Sequence, residues 1–434
     1  CYLSRRYFAS ISCFSRAVSL LFKRPKEIDA DKASLSKPYP QLEIQYINGS
    51  FRFTYNLEHL LDSLFFKKII SSVLLFFILK MGVAQSTIPS ILYQHPIPYA
   101  PKQYVCYRSD TTLQIDGKLD EAIWQQAPTT DNFVDIEGNL KPSPTYPTNV
   151  KMLWDDAYFY FGAYLEEPHI WAKLTERDAV IFYDNDFEIF FDPDGDTHNY
   201  YEFEVNAFNT VWDLLILRPY REDGAPKVLN YVDMNGLKSA VFINGTINDG
   251  NDTDKFWTVE VAIPWKVLNE MTPKAFLPKE GVQWRVNFSR VNWRTEFKNG
   301  EYVKKLNPVG KPFPEQNWVW SPQGYVAMHA PETWGFVQFS EVVAGQKNTP
   351  FLVDVEDEIK WALRQLYYQQ RRYLKKHKAY ADDLNLLSIP DVSLLNYQFE
   401  PIMIRTFTGY EIRAASVDKK GDWVIRADGK IERL

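Results

Sequence analysis

Short runs of alternating apolar and polar residues extend from about residue 104 to residue 342, and this pattern predicts β-strands. At residues 201–206, the odd positions are Tyr, Phe and Val, whereas the even positions are Glu, Glu and Asn. At residues 151–165, two apolar runs flank Asp155 and Asp156, which predicts a hairpin. Further strands are predicted at residues 186–192, 211–217, 256–263 and 284–293, with a short helix at 265–269. Many short strands separated by turns predict a mainly β protein, an antiparallel β-sandwich of the jelly-roll or immunoglobulin-like type.

The pattern changes near residues 343–350 and becomes helical over residues 354–380. Asp354 stands at the start of this segment as a candidate N-cap. Its cationic face is interpreted as a solvated helix face rather than a partner-binding surface. Residues 401–434 alternate again. We therefore predict that residues 350–434 form a small α+β C-terminal tail, one helix on an antiparallel sheet, and the sequence indicates no function for it.

A different pattern precedes the β region. Residues 67–85 read KKIISSVLLFFILKMGVAQ, with two lysines, an eleven-residue apolar run and then small residues. This order is typical of a secretory signal peptide, and the run is too short to span a membrane. We predict a signal peptide at 67–84, an upstream segment of uncertain character at 1–66 and a Pro-rich linker at 85–103. The mature chain would then be exported to the periplasm, cell surface or medium without a stable membrane span. The alternative interpretation of residues 67–85 is a buried helix or a short anchor.

Charge and cysteine content narrow the classes of function. The 434 residues include 49 Lys/Arg and 55 Asp/Glu, a net charge of -6. Residues 1–84 hold 12 of the basic and 6 of the acidic residues, so the remainder has 37 basic and 49 acidic residues and a net charge of -12. This charge argues against nucleic-acid binding and favours neutral or cationic ligands, or bound calcium. Only Cys106 lies beyond the predicted signal, so the mature chain has neither a disulfide nor a zinc motif.

Several pieces of the β region together resemble family 9 carbohydrate-binding modules. The opening phrase is IDGKLDEAIW at residues 115–124. The later pieces follow in the order of that family: residues 150–158, 184–188, 192–195, 200–206 and 257–265. The resemblance spans residues 104–342 and leaves out the tail. It implies a sugar-binding β-sandwich with bound calcium and no catalysis of its own.

The resemblance also implies a slot in which two tryptophans stack on a terminal sugar while polar side chains hold its hydroxyls. Stacking suits the C–H face of a pyranose, and charged side chains form the stronger hydrogen bonds to hydroxyls. Trp171 and Trp293 stand in polar surroundings and are the stacking candidates, with core packing as the alternative. The polar candidates are Glu176, Arg177, Arg218 and Asn292, which could instead form salt bridges and ladder pairs. Core packing is predicted for Trp124, Trp154, Trp257 and Trp265.

One acidic turn is a candidate metal site. Asp192, Asp194 and Asp196 supply carboxylates at alternating positions, which resembles the start of a calcium loop without its distal Glu. Acidic turns also occur without metal. A structural calcium held by these three residues is the expectation.

The sequence thus predicts an exported, non-catalytic protein that binds an oligosaccharide or polysaccharide in support of carbohydrate catabolism, with glycan-degrading enzymes as partners. One alternative is a glycoside hydrolase, which needs two carboxylates about 5–10 Å apart, and Glu202 and Glu204 share a strand face. The other is a structural or haem-binding sandwich. Haem needs axial ligands, for which the candidates are Met152, Met234, His169 and His198.

Overall fold

The structure is a computed structural model that describes residues 43–47, 50–54, 95–222, 224, 226–230, 232–268, 277–392 and 397–434. The chain divides into two compact units, Cys1–Ser86 and Thr87–Leu434. In the first unit, β1 (Glu43–Ile47) pairs antiparallel with β2 (Ser50–Thr54). The predicted signal peptide at 67–84 lies outside the described residues, as does the remainder of the segment 1–66.

Among the described residues, the second unit contains three sheets, one large and two smaller. The strands of its first part are β3 Gln103–Arg108, β4 Val134–Asp135, β5 Thr148–Trp154, β6 Tyr158–Glu166, β7 Asp186–Asp192, β8 Tyr200–Asn206, β9 Val211–Ile216, β10 Val228–Leu229, β11 Lys238–Asn244, β12 Phe256–Pro264, β13 Gln283–Asn292, β14 Thr295–Lys298, β15 Glu301–Lys304, β16 Gln316–Val319 and β17 Gly335–Val343. The helices here are α1 Ala122–Gln126 and α2 Trp265–Leu268, and the 3₁₀ turns are Gly138–Leu140, Ile181–Tyr183 and Pro331–Thr333.

The large sheet folds over itself into a β-sandwich, as predicted. Its order is β10–β9–β8–β7–β13–β17–β3–β5–β6–β12–β11, with β16 and β4 attached beside β13. All neighbours are antiparallel except β3, which runs parallel to both β17 and β5. The two halves face each other across an aromatic core, in which Phe161 of β6 meets Phe288 of β13 at 5.9 Å between ring centroids.

The predicted strands are confirmed within one to three residues of their ends. The hairpin at Asp155 forms because its Oδ1 accepts the backbone N–H groups of Ala157 and Tyr158, both at 2.7 Å. The core role of four tryptophans is also confirmed, since none is more than 2% exposed: Trp124, Trp154, Trp257 and Trp265. Alternation therefore located the strands, and all four of these tryptophans pack in the core, Trp154 and Trp257 from strands and Trp124 and Trp265 from the short helices.

The tail is the predicted helix on a small antiparallel sheet. Its elements are α3 Glu356–His377, the 3₁₀ turn Leu384–Leu386, β18 Ile402–Arg405, β19 Tyr410–Ala415, β20 Asp422–Arg426 and β21 Ile431–Arg433. The N-cap residue is Val355, one position after the predicted Asp354. The Asp354 carboxylate still accepts the Glu356 N–H at 2.9 Å.

The tail helix also contacts the sandwich. Asp357 of α3 accepts hydrogen bonds from Arg285 of β13 at 2.6 Å and from the Tyr99 hydroxyl at 2.7 Å. Trp361 stacks on Tyr99 with ring centroids 4.0 Å apart. In the described part of the chain, no helix is both long and apolar enough to cross a membrane.

Candidate functional site

Polar side chains from adjacent strands meet on the outer face of one half of the sandwich. The odd positions of β7 and β8 fill the core, so the even positions lie on the opposite face. Strand register aligns Ser289, Glu188, Glu204 and Trp212 in one row across β13, β7, β8 and β9. A neighbouring row is Asn287, Phe190, Glu202 and Leu214. Three glutamates from two strands are thereby brought side by side.

These glutamates line a pocket of about 210 Å³, called the outer-face pocket below. Its lining consists of Ile136, Phe182, Glu188, Phe190, Glu202, Glu204, Trp212, Leu214, Tyr220, Val291, Glu315, Asn317, Val326, Met328 and His329. The loop residues among these cover the sheet, so the three glutamates are only 2–4% exposed. Tyr220, in contrast, is 45% exposed. The result is a pocket with acidic groups on the sheet and aromatic groups on its walls.

The acidic groups of the pocket lack basic side chains as partners in the described part of the chain. Among the described residues, Asp186, Glu188, Glu202 and Glu204 form no ion pair with a basic side chain. Burial raises the pKa of Glu188 to about 7 and holds the pKa values of the other three well above their usual range, with further contributions from neighbouring carboxylates. Perturbed carboxylates in a pocket mark a functional-site candidate.

Three of these carboxylates converge closely. One oxygen from each of Asp186, Glu188 and Glu204 lies within 4.8 Å of the other two. Asp186 Oδ1 accepts the Val291 N–H at 3.2 Å, and Glu204 Oε2 accepts the Phe182 N–H at 3.1 Å. These backbone hydrogen bonds fix two of the side chains in place.

The first predicted stacking residue, Trp171, is buried. It is only 3% exposed, because the loop at residues 248–254 holds its neighbours: Ile170 N–H donates to Asp254 at 2.7 Å, and Ala172 N–H donates to Asn248 at 3.1 Å. The indole N–H has no hydrogen-bond partner among the described residues. The Trp171 ring therefore presents almost no surface to a ligand in this structure.

The second predicted stacking residue, Trp293, is half-buried just after β13. Its backbone N–H donates to Asn185 at 2.7 Å, and its indole N–H donates to the Phe182 carbonyl at 2.9 Å. The Nζ of Lys304 lies 3.1 Å from the ring centroid and covers one face of the indole. Burial lowers the pKa of Lys304 to about 8.

Trp293 and Asn292 line a second cavity of about 680 Å³, together with Thr145, Tyr146, Glu167, His169, Gly250, Arg294, Thr295, Glu296, Phe297, Tyr302, Lys305 and Gln316. The predicted residues Glu176, Arg177 and Arg218 are not among its lining. Glu176 and Arg177 are exposed, and Arg177 pairs with Asp213 and with Asp233, the latter at 3.0 Å. Arg218 lies beyond the end of β9. The structure therefore brings together two of the six predicted binding residues.

The acidic turn gathers the three carboxylates predicted to bind calcium, with oxygens of Asp192, Asp194 and Asp196 within 4.8 Å of one another. Several of these carboxylate oxygens already accept hydrogen bonds or pair with a basic side chain. Asp192 accepts backbone N–H groups through both oxygens, at 3.1 and 2.9 Å. Lys430 of the tail places its Nζ 3.0 Å from Asp196 Oδ2. A calcium ion there would have to compete with Lys430, and the calcium site remains a prediction.

The two methionines that were candidate haem ligands lie in the apolar core. Met152 is fully buried and Met234 is 4% exposed. His169 Nδ1 lies 3.1 Å from the Tyr302 hydroxyl. His198 is buried beside the acidic turn, where burial lowers its pKa to about 4. Because both sulfur atoms are packed among apolar side chains, neither is presented to a haem in this structure.

The sequence predicted that Glu202 and Glu204 share a strand face, and it predicted the preceding strand at residues 186–192, in which Asp186 and Glu188 occupy alternate positions. It did not combine the two sets into one site. The available signal was the pair of consecutive strands, β7 and β8, with acids at even positions in both. In the register that pairs Glu188 with Glu204, these even positions face the same side of the sheet.

The fold and the pocket define a β-sandwich with a polar pocket on the outer face of one sheet. Residues 115–287 match the family model described as "Carbohydrate family 9 binding domain-like". This match covers α1, α2, β4 to β12 and the first half of β13. The chain therefore contains a family 9-like carbohydrate-binding domain, as the resemblance predicted.

Solved structures of this kind are similar to the chain at 14% sequence identity. A putative carbohydrate-binding protein from Bacteroides uniformis matches 56% of this chain and 100% of its own, with a TM-score of 0.41. A family 9 carbohydrate-binding module from Caldicellulosiruptor kristjanssonii was solved with cellotriose and with glucose. Those two structures match 58% and 57% of this chain and 100% of their own, with TM-scores of 0.35 and 0.34. No curated protein matches the chain.

Proposed function

We propose that this protein binds a neutral or cationic carbohydrate in the outer-face pocket, without chemical change to it. The observation that carries the proposal is the placement of Glu188, Glu202 and Glu204 beside aromatic side chains in one pocket, inside a family 9-like domain. Sugar hydroxyls both donate and accept hydrogen bonds, and a carboxyl group accepts them in either protonation state and also donates one when it is protonated. Trp212 and Tyr220 line the same pocket and supply aromatic rings on which the C–H face of a sugar could stack.

The size of the pocket supports a small binding unit. Its volume of about 210 Å³ is below the roughly 300–1,000 Å³ of pockets for drug-sized ligands. One sugar ring or the end of a chain suits this space better than an internal stretch of polysaccharide. The acidic lining disfavours sugars that carry carboxylate or sulfate groups, since these would add like charge.

The wider role rests on the sequence. The signal-like segment at 67–84 supports export, and a non-catalytic sugar-binding protein outside the cytoplasm would hold glycans for degrading enzymes. We therefore include support of carbohydrate catabolism in the proposal. Secretion of the full chain from a bacterial host, with cleavage near Ala84 detected by mass spectrometry, tests the export step; retention of residues 67–84 on the product would contradict it.

Calorimetric titration of the full chain with mono- and oligosaccharides tests binding. We expect Tyr220→Ala to weaken the affinity for the bound sugar at least ten-fold, because it removes a pocket wall. Phe208→Ala is the matched control, since Phe208 is a similarly exposed aromatic (40%) that does not line the pocket. Equal affinity of the Tyr220→Ala variant and the wild type would place the sugar elsewhere.

A hydrolase remains the second candidate because Glu188, with its pKa raised to about 7, lies in the same pocket as other carboxylates. Glycosidases use two carboxyl groups about 5–10 Å apart, one of which has a raised pKa and donates a proton. The titrated samples should therefore be assayed for released reducing sugar. Release that stops in Glu188→Gln while binding persists would replace the binding proposal by catalysis.

A further inference from the structure

We propose that a second glycan segment binds on the other outer face of the sandwich, in an aromatic groove whose rings are Tyr164, Phe242 and Phe256. This groove lies on the half of the large sheet that contains β6, β12 and β11, whereas the outer-face pocket lies on the half that contains β7, β8 and β9. The inference rests on the proposed function, because it takes the protein to bind carbohydrate. It uses none of the residues that line the outer-face pocket.

The three rings interrupt the polar pattern expected of an outer sheet face. Their neighbours along each strand pack in the core, so Tyr164, Phe242 and Phe256 lie on the opposite face. They are half-buried and lie outside the core clusters of the described residues. The solvated face of an antiparallel sheet ordinarily carries polar side chains. A contiguous exposed apolar patch rimmed by polar residues instead marks a site of interaction.

Strand register places the rings next to one another. Tyr164 pairs with Thr258, and Thr258 pairs with Phe242, so these side chains form one row across β6, β12 and β11. Phe256 stands two positions before Thr258 on the same face of β12. Its ring centroid lies 5.0 Å from that of Tyr164 and 6.4 Å from that of Phe242. Because the small Thr258 separates two large residues, the row is concave at its middle.

The floor of the groove is built by the opening phrase at residues 115–124. Gly162 of β6 lets Leu119 lie against the sheet, since a Cβ at residue 162 would approach Leu119 Cδ2 to 2.7 Å. The Thr258 hydroxyl donates to the Gly117 carbonyl at 2.6 Å and holds the same phrase. The cavity has a volume of about 430 Å³, against about 210 Å³ for the outer-face pocket. The larger space suits several linked sugar rings rather than one.

The remaining lining indicates a neutral glycan as the occupant. Pyranose rings present C–H faces that stack on aromatic rings and hydroxyls that both donate and accept hydrogen bonds. The two lysines and one aspartate of the lining leave its charge nearly balanced, which matches an uncharged ligand. An apolar peptide or acyl chain would leave these polar groups without partners. The polar side chains concerned are Lys118, Asp120, Gln125, Asn149 and Lys151.

The two sites face away from each other, because they lie on the outer faces of the two halves that enclose the core. One molecule therefore holds two glycan segments, with a sugar ring or chain end in the outer-face pocket and an internal segment across the aromatic groove. On an insoluble polysaccharide both sites engage at once. Binding to such a surface should then be tighter than binding at either site alone.

The test titrates the full chain by calorimetry with hexasaccharides of glucose, xylose, mannose and galactose, and with the corresponding monosaccharides. In the Tyr220→Ala background the groove is the only proposed site that is intact. We expect a hexasaccharide to bind there, and we expect Tyr164→Thr or Phe256→Thr, added to this background, to weaken that binding at least ten-fold. Threonine suits a strand, so these variants keep the local preference for β structure.

Tyr158→Thr is the matched control. Tyr158 is a half-buried tyrosine on the same strand and the same face as Tyr164, but it does not line the groove. Added to the Tyr220→Ala background, it should change hexasaccharide affinity less than two-fold. Circular dichroism and Tm show whether each variant is folded. Monosaccharide binding by the wild type tests the outer-face pocket separately, and it should change less than two-fold in Tyr164→Thr and Phe256→Thr.

Three results would overturn the groove. The first is that no hexasaccharide of the panel binds in the Tyr220→Ala background. The second is equal hexasaccharide affinity with and without Phe256→Thr in that background. The third is a dimer, detected by light scattering, that Phe256→Thr dissociates, since the groove would then hold a second copy of the chain. In each case the proposed function still stands or fails by the effect of Tyr220→Ala on monosaccharide binding.

Discussion

The indole N–H of Trp124 donates a hydrogen bond to Glu260 Oε1 at 3.0 Å. The other oxygen of Glu260 accepts the backbone N–H groups of Asp116 and Gly117, at 3.0 and 3.1 Å. One carboxylate of β12 thus holds both ends of the opening phrase at residues 115–124. Gly117 has a φ of +85°, and a Cβ there would approach the backbone of β11 to 2.6 Å. This relationship explains in physical terms why the phrase combines Gly and Trp at this spacing.

Replacing Glu260 by Gln should therefore destabilise the fold. A glutamine side chain keeps one acceptor oxygen and adds two donors, so at least one of the three N–H groups loses its partner. The loss of a buried partner costs about 1–3 kcal/mol, which denaturant unfolding can measure. Asp120→Asn, in an exposed part of the same phrase, is the control and should change the unfolding free energy by less than about 0.5 kcal/mol. Equal stability of the two variants would show that Glu260 does not anchor the phrase.

The raised pKa of Glu260 predicts that the stability of the fold depends on pH. Burial raises the pKa of Glu260 to about 7, above its value of 4.5 in an unfolded chain. A raised carboxylate pKa means that the folded state binds the proton more tightly, so the contribution to stability is complete below pH 4.5 and is lost as pH rises through 7. The stability advantage of the wild type over Glu260→Gln should therefore shrink between pH 5 and pH 8, measured by urea unfolding. An advantage that grows over this range would contradict the predicted sign.

Much of the fold was predictable because strand alternation is a local property. Residues 201–206 alternate with period two, and the strand there is Tyr200–Asn206. The order of strands in the sheet was not predictable, since pairing joins distant segments. For example, β3 lies between β17 and β5 and is parallel to both. Nothing within residues 103–108 specifies these neighbours.

The site was harder to predict for the same reason. Polar residues around Trp171 indicated a ring available for stacking, but residues 248–254, more than seventy positions away, hold the segment that carries it. Alternation in β8 indicated a polar face for Glu202 and Glu204. That this face is buried depends on loop residues such as Met328 and His329, which cover it. Sequence pattern therefore assigned the face but not its burial.

A buried ion pair supports the end of the sandwich near Trp293. Arg290 of β13 is fully buried, and its Nη2 lies 2.5 Å from Glu167 Oε2. Glu167→Ala leaves the guanidinium without its counter-charge, which should cost about 3–5 kcal/mol in unfolding free energy. Asp131→Ala breaks the exposed pair with Lys102 and should cost less than about 1 kcal/mol. Similar losses in the two variants, measured in guanidinium chloride, would mean that Arg290 is not held by Glu167.

The contact between Lys304 and Trp293 distinguishes the two cavities. Lys304→Ala uncovers one face of the indole. If the sugar binds in the outer-face pocket, calorimetry should show less than a two-fold change in affinity. Lys298→Ala, an exposed lysine at the end of β14, controls for the loss of one positive charge. An affinity increase of more than five-fold in Lys304→Ala alone would favour the Trp293 cavity, as the sequence predicts.

The tail helix supports one wall of the outer-face pocket, because Glu332 links the helix to Arg221 and Arg221 binds the wall residue His329. Arg221 donates to Glu332 at 2.9 Å and to the His329 carbonyl at 3.1 Å, and Tyr368 of α3 donates to the other oxygen of Glu332. Burial opposes ionisation of Glu332, but the charges of Arg221 and Arg364 together with the Tyr368 hydrogen bond lower its pKa to about 2. A depressed carboxylate pKa contributes stability above pH 4.5 that is lost as pH falls towards 2.

Arg221→Met should therefore act on both stability and binding. It leaves Glu332 buried with one charge partner fewer, at a cost of about 3 kcal/mol at pH 7, and the loss relative to wild type should diminish on acidification below pH 4.5. Because His329 lines the pocket and Arg221 does not, sugar affinity should fall several-fold although no pocket side chain is replaced. Lys360→Met on α3, which removes a basic side chain whose partner Asp354 is partly exposed, serves as the control. Unchanged sugar affinity in a destabilised Arg221→Met variant would show that the tail supports the fold but not the pocket.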